Sequence, residues 1–361
     1  VNDMPAPTGP AVRPRQDTPP RPGHLTWSAA DGGLQTLAVW TERRPGHGED
    51  AEPLAAHHRP TGSGLLAVFD GSGGSGAAPG WREPDGTTHT SAWTGARIAR
   101  LAAECWFQHA VAPEEAASGG NGPGSADSPE RLKHWLRRML DAAPTVARSK
   151  ITGSMRRVLP TTLAAIRYET AAGGVRWEAV WAGDSRSYAL LPGSGLHALT
   201  RDDTHEDDAL AQLRQDPPMT NVVCADREFT LSAHRGEFGA PCVLLTATDG
   251  FFGYVHTPAQ FECVLLDTLA HAVDAADWAE RLRRAIQPAT GDDASLSLAA
   301  LGFEDFGRLR AAFAGRRADL ARGEYLDVPP EDDQEAMRGW QDRTWQAYRD
   351  AYETFMPGVR E

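Results

Sequence analysis

Apolar positions along this chain follow two periods, one of two residues and one near 3.6, and the runs are bounded by Gly, Pro and Asp. Clusters of apolar and β-branched residues at 34–40 (LQTLAVW), 64–69 (GLLAVF), 161–169 (TTLAAIRYE), 176–183 (RWEAVWAG) and 242–248 (CVLLTAT), and in ASLSLAALGF from Ala294, predict strands. Between two of them lies Ala171-Ala172-Gly173-Gly174. A glycine pair supplies the positive φ of a tight reversal, so a hairpin and an antiparallel sheet are expected.

Helical spacing places Leu132, Trp135, Leu136, Met139 and Leu140 on one face, behind the start signal Ser128-Pro129. Thr257-Pro258-Ala259-Gln260 reads as a capping box opening a second helix, with Phe261, Val264, Leu265, Thr268 and Leu269 on its stripe. A third, around Trp278, Leu282 and Ile286, stops before Pro288, and another covers about 91–111, with 112–128 as a surface loop. After Phe303 the pattern is helical only. Phe306, Leu309 and Phe313 share one face and, beyond Pro329-Pro330, so do Met337, Trp340, Thr344 and Tyr348. Glu331, Asp332 and Asp333 stand at the start of that last helix, where acids suit the positive end of its dipole.

Residues 1–25 hold seven prolines and few large apolar groups, too little to repay ordering. A tail over 1–25, a folded domain over 26–303 whose first strand begins at Leu34, and an appended helical region over 304–361 are therefore expected. The chain has 361 residues, 41% hydrophobic, with 36 Lys+Arg against 49 Asp+Glu, a net charge of −13. Such a balance repels phosphate backbones and anionic headgroups, which argues against nucleic-acid and membrane partners. Cys105, Cys224, Cys242 and Cys263 form no C-x-x-C pair, and the opening residues are too polar for a signal peptide, so a reducing, cytoplasmic location is expected.

Candidate chemistry lies at the strand ends. Asp70 follows LLAVF, Asp184 follows AVWAG, Asp249 follows VLLTAT, and Asp292 precedes ASLSLAAL. Any one Asp-Gly is ordinarily a turn, as Asp31-Gly32 and Asp85-Gly86 are expected to be. Four acids at the ends of sheet strands are a different matter. Neighbouring strand ends bring their carboxylates together, and close carboxylates stay ionised only if cations compensate them. Oxygen donors alone select hard ions, Mg²⁺ or Mn²⁺. Gly71-Ser72-Gly73-Gly74-Ser75-Gly76 matches G-x-G-x-x-G after a strand. A dinucleotide loop must run into a helix, however, and here Pro79-Gly80-Trp81 follows. No H-E-x-x-H or zinc spacing occurs among the twelve histidines.

In order along the chain stand Gly48-Glu49-Asp50-Ala51, VFDGSGG (68–74), LPTTLAA (159–165), WAGDSRSYAL (181–190), LTRDDTH (199–205), LLTATDGFFGYV (244–255) and GDDASLSL (291–298). This succession resembles the motifs of the metal-dependent type 2C serine/threonine protein phosphatases, the PPM superfamily, in its bacterial form, over about residues 34–303. The resemblance implies an α+β fold, a four-layer αββα sandwich of two antiparallel sheets flanked by helices, with a C-terminal helical extension. It implies two or three Mn²⁺ or Mg²⁺ ions at one end, and hydrolysis of phosphoserine or phosphothreonine in proteins by a hydroxide activated between two ions, with no phosphoenzyme. By the same resemblance Asp70 bridges two ions with the Gly71 carbonyl beside it, and Asp249 and Asp292 bind the second. Glu49 acts through water, Asp50 supports the site, and Asp184 holds a third ion.

Eukaryotic members carry a histidine directly after Asp-Gly, where this chain has Ser72, a poor general acid. Arg44, or else Arg43, is the candidate phosphate-binding arginine. Asp293 occupies the usual asparagine position, and the register of the following strand favours Asp292 as the ligand. A flap beside the metals falls in about 204–239, with DPPMTN (216–221) as a rigid turn. The implied counterpart is a serine/threonine kinase, and the C-terminal helices are free to bind a protein partner or their own sandwich. A catalytically silent pseudophosphatase scaffold and a metal-dependent phosphodiesterase on small molecules remain as alternatives.

Overall fold

The structure, a computed structural model, describes residues 23–112, 128–143, 156–171, 173–330 and 332–358. Two antiparallel sheets stack face to face. The six-stranded sheet runs β1 (His24–Asp31), β2 (Leu34–Thr41), β13 (Ala294–Leu301), β12 (Cys242–Ala247), β9 (Arg186–Leu191), β10 (Gly195–Ala198). The five-stranded sheet runs β11 (Ser232–Gly239), β8 (Gly174–Ala182), β7 (Leu163–Ala171), β4 (Ser63–Val68), β3 (Leu54–His58). A small hairpin, β5 (Pro79–Arg82) with β6 (Thr88–Thr90), stands apart. Helices α1 (Ser91–Ala110) and α2 (Ser128–Ala142) cover the five-stranded sheet, and α4 (Pro258–His271) and α5 (Ala275–Ile286) cover the other. The fold is thus the expected αββα sandwich.

Strand alternation explains the layers. In β13, Leu296, Leu298 and Ala300 pack outward with Phe261, Leu265 and Trp278 of α4 and α5. Ala299 and Leu301 point inward to Ile166, Tyr168 and Trp177 of the facing sheet. Ser295 and Ser297 of β13 are fully buried, and Ser297 exchanges a 2.8 Å hydrogen bond with Thr246 of β12. The expected hairpin forms between β7 and β8, with Ala171 opposite Gly174.

Several expectations need correction. The first strand among the described residues begins at His24 rather than Leu34; β1 is an edge strand exposed along most of its length, with Leu25 and Trp27 open to solvent. Residues 24–25 of the expected tail are therefore in a strand; 1–22 lie outside the described residues, as do 113–127 of the expected loop and Glu331. Thr257 is the N-cap of α4, but its hydroxyl caps nothing. In place of the expected capping box, the N–H of His256 donates to Gln260 Oε1 at 2.8 Å. The glycine-rich stretch forms one helical turn, Gly73–Gly76, which gives way to β5 rather than to a helix. The upper part of the expected flap, Ser232–Gly239, pairs with β8 as a sheet edge, and its lower part contains α3 (Ala209–Gln215).

The C-terminal helices α6 (Phe306–Ala312), α7 (Ala314–Arg322) and α8 (Gln334–Glu353) dock on their own sandwich. Phe306, Leu309, Phe313, Trp345, Tyr348 and Tyr352 join the cluster on the outer face of the six-stranded sheet. Glu262 of α4, fully buried, receives two bonds from Arg316 at 2.7 and 2.8 Å and one from the Tyr348 hydroxyl at 2.5 Å. Trp345 Nε1 donates to Asp208, the N-cap of α3, at 2.9 Å.

Candidate active site at one end of the sandwich

Asp70 leaves β4, Asp184 leaves β8, Asp249 follows β12, and Asp292 stands just before β13. The pairing of β12 with β13, and of β4 with β7 and β7 with β8, delivers all four to the same end. Burial raises the pKa of Asp70 well above its usual range, and the charges of Asp50, Asp249, Asp184 and Asp292 raise it further. Asp184 is raised in the same way by burial, then Asp249 and Asp202. Burial, followed by Asp292 and Asp216, lifts Asp249 to about 7. Asp292 sits at the rim, exposed on one side, and is raised by its protein side and lowered by the N–H of Asp293 and the charge of Arg43.

The loop Gly48–Asp50 completes the cluster. Glycine is required where it meets the Asp70 loop: a Cβ on Gly71 would lie 2.6 Å from the Glu49 carbonyl, and one on Gly73 would strike the Glu49 carboxylate. Thr90 donates to Glu49 Oε1 at 2.5 Å. Asp293 accepts the N–H groups of Arg43 and Glu49 at 2.8 and 2.6 Å, so its carboxylate pins the loop while that of Asp292 faces the rim. Asp50 is buried and accepts from Ser295 at 2.8 Å and Thr248 at 3.1 Å; burial and the charge of Asp293 hold its pKa well up.

Asp184, Asp202, Asp216 and Asp249 line a cavity of 180 Å³ together with Arg186 and Tyr254. Arg186 is buried, fully engaged by Asp202 at 2.9 and 2.8 Å and by Gln212 at 2.8 Å, and lies over the Phe252 ring. Asp184 Oδ1 is buried with no hydrogen-bond partner. The donor set is therefore all oxygen, anionic and short of cations, which fits hard divalent ions such as Mg²⁺ or Mn²⁺. Among the described residues, no three His, Cys, Asp or Glu side chains are drawn tightly enough together to grip an ion as they stand. The acids surround a space rather than closing on one point.

Arg43 and Arg44 are both exposed, and it is the charge of Arg43 that reaches Asp292. Ser72 is engaged by Ser75 Oγ at 3.3 Å and touches none of the carboxylates through a hydrogen bond among the described residues. The sequence reading missed Arg186, Asp216, Thr248, Ser295, Thr90 and Arg97. Arg97 is largely buried, donates to the Glu49 carbonyl at 3.3 Å and lies over Trp93; burial lowers its pKa to about 10. A basic residue in the buried strand of GDSR was the one available signal for Arg186. The hydroxyls of Thr248 and Ser295 gave none, because Ser and Thr are ordinary strand residues.

No protein-family model matches the chain, and no curated protein sequence does. Among solved structures it is similar to the Mycobacterium tuberculosis serine/threonine phosphatase PstP/Ppp, with 20% identity and a TM-score of 0.49 over 74% of this chain and 98% of that one. It is similar also to the PPM Ser-Thr phosphatase MsPP from Mycobacterium smegmatis, with 15% identity and a TM-score of 0.49 over 74% and 98%. A third is the serine/threonine phosphatase Stp1 from Staphylococcus aureus, with 14% identity and a TM-score of 0.49 over 77% and 94%. All three are bacterial serine/threonine phosphatases. Likeness of this degree transfers no residue role, and the site has to be read from its own geometry.

Proposed function

We propose that this chain is a type 2C phosphatase of the PPM superfamily, a metal-dependent hydrolase of phosphoserine and phosphothreonine in proteins. The observation that carries the reading is the convergence of Asp50, Asp70, Asp184, Asp249 and Asp292 from separate strand ends into one mutually repelling, cation-poor group. Asp70, the Gly71 carbonyl, Asp249 and Asp292 would hold two Mn²⁺ or Mg²⁺ ions, with Glu49 acting through water and Asp184 toward a third. Bound there, such ions supply an activated water and neutralise phosphoryl oxygens.

The chain's own residues provide the frame. Asp293 fixes the Glu49 loop through two backbone N–H groups, and Ser295 and Thr248 orient Asp50 behind it. Arg43, at the rim beside Asp292, is placed to meet phosphoryl oxygens of an incoming substrate. Ser72 stands where a proton donor would be useful but has too high a pKa to protonate a leaving alkoxide at neutral pH.

No helix among the described residues is long and apolar enough to cross a membrane. A phosphoprotein substrate, an opposing serine/threonine kinase and a cytoplasmic location belong to the same proposal. A second reading, the silent scaffold, is favoured by the open spacing of the acids. Release of phosphate from phosphoserine peptides in Mn²⁺, with and without EDTA, decides between them for the wild type and Asp70→Ala. The enzyme reading expects Mn²⁺-dependent release that EDTA abolishes and Asp70→Ala lowers by orders of magnitude. Binding of phosphopeptide without turnover supports the scaffold, and turnover of diesters alone supports a phosphodiesterase.

A further inference from the structure

Asp184 and Asp249 share the 180 Å³ cavity with Gln212 and Leu213 of α3 and with Asp216, the residue at which α3 ends. Asp216 takes a positive φ of 44°, which aspartate tolerates better than most side chains, and its N–H closes the helix on the Gln212 carbonyl at 3.0 Å. Gln212 Oε1 in turn accepts from Arg186 at 2.8 Å. The helix thus supplies one wall of the cavity and one of its acids. After burial, the charges of Asp292 and Asp216 are what raise the pKa of Asp249, so Asp216 stands near enough to act on it.

A helix of 7 residues does not hold itself together, so what α3 packs on fixes where it stands. Ala209 and Leu210 join the apolar cluster that Trp345, Tyr348 and Tyr352 of α8 also enter. Polar ties run to α8 from both ends of α3. At its start, one oxygen of Asp208 caps the N–H of Ala211 at 2.9 Å, and the other accepts from Trp345 Nε1 at 2.9 Å and meets Arg349 at 3.3 Å. Near its end, Arg214 donates to the Gln341 side chain at 2.9 Å and to the Arg338 carbonyl at 3.2 Å, and pairs with Asp342 at 2.8 Å. Ahead of α3, Arg201 donates to the carbonyl of Pro357, just beyond α8, at 3.2 Å.

The pull of a carboxylate on a cation falls with distance, so a shift of α3 changes what Asp216 contributes to the cavity. Asp184 Oδ1, buried there without a hydrogen-bond partner, is the atom a bound cation would satisfy. We propose that the C-terminal extension positions Asp216 at the cavity of Asp184 and Asp249, so that the grip of α8 on α3 sets how tightly a divalent cation is held there. Trp345 and Arg214 are then positioning residues, whose hydrogen bonds go to Asp208 and to α8 rather than to the acids of the cavity. The inference rests on the reading of the acids as an ion site and adds to it the part of the chain that tunes it.

Calorimetric titration of the metal-free full chain with Mn²⁺ tests it, comparing wild type with Trp345→Phe, Arg214→Ala, Asp216→Asn and the double variant Arg214→Ala/Asp216→Asn. The midpoint of chemical denaturation is measured for each. Trp345→Phe keeps an aromatic ring in place and removes the N–H bond to Asp208. Asp216→Asn is expected to weaken Mn²⁺ binding at one class of site by about tenfold. Trp345→Phe and Arg214→Ala are expected to weaken the same class by about threefold or more. The double variant is expected to bind no more weakly than Asp216→Asn alone, because the grip acts through that carboxylate. A purely structural tie would lower the denaturation midpoint of Trp345→Phe and Arg214→Ala and leave their Mn²⁺ affinity unchanged, a result that overturns the inference while the ion site stands. Additive losses in the double variant overturn it as well. Absence of Mn²⁺ binding by the wild type overturns the inference and the ion site together.

Discussion

A single carboxyl shows how this site trades stability for function. Asp249 is lifted from 3.8 to about 7 by burial and by Asp292 and Asp216. An acid whose native pKa lies above its unfolded value stabilises the fold below the unfolded pKa and loses that contribution as pH rises through the native one. Metal-free protein is therefore expected to lose thermal stability between about pH 4 and 7, with Asp50, Asp70 and Asp184, also raised, extending the loss upward. Added Mn²⁺ should restore it. Melting curves against pH, in EDTA and in Mn²⁺, check the sign. Asp249→Asn is expected to melt higher than wild type in EDTA at pH 8 by the equivalent of a few kcal/mol, while Mn²⁺-dependent phosphate release falls by orders of magnitude. At this scale the sequence revealed the acids, because each ends an apolar run. It concealed their supports: the hydroxyls of Thr248 and Ser295 fit any strand, and Asp216 is a turn residue until the chain folds back over Asp249.

Among the elements, α4 matters beyond its apolar stripe. Its Glu262, fully buried, is held by Arg316 of α7 and Tyr348 of α8, tying three helices at one carboxylate. Removing one partner of a buried pair leaves the other charge uncompensated. Glu262→Ala is expected to destabilise the protein by about 3 kcal/mol, read from chemical denaturation, whereas Arg308→Ala, at an exposed pair with Glu304, should change it by under about 1 kcal/mol. β2, β4, β7, β8, β12 and β13 were legible from period and composition, and the C-terminal helices from their 3.6-residue spacing, whereas the buried β9 and β10 were not. Exposed edges were not: β1 is solvated along most of its length, and β11, with Arg235 and Glu237 exposed, is half-polar. β1 does alternate, with Leu25, Trp27 and Ala29 on one face, but no core covers most of that face.

Over the whole molecule, two sheets stacked with helices outside bring residues as far apart as Glu49 and Asp293 within 2.6 Å. The extension after Phe303 is bound into the same apolar layer as α4 and α5 rather than held apart. A sequence can show that the last helices are amphipathic, but which surface receives them depends on the shape of the completed sandwich. Through Trp345 on Asp208 and Tyr352, whose hydroxyl lies 3.5 Å from Arg186, α8 also buttresses the segment beside the acidic cavity. The central claim is that acids from distant strand ends jointly hold hard divalent ions. Calorimetric titration of the metal-free full chain with Mn²⁺, wild type beside Asp70→Ala, measures it most directly. The account expects two or more Mn²⁺ per wild-type chain and a marked loss of stoichiometry or affinity in the variant; equal binding by both, or none by the wild type, contradicts it.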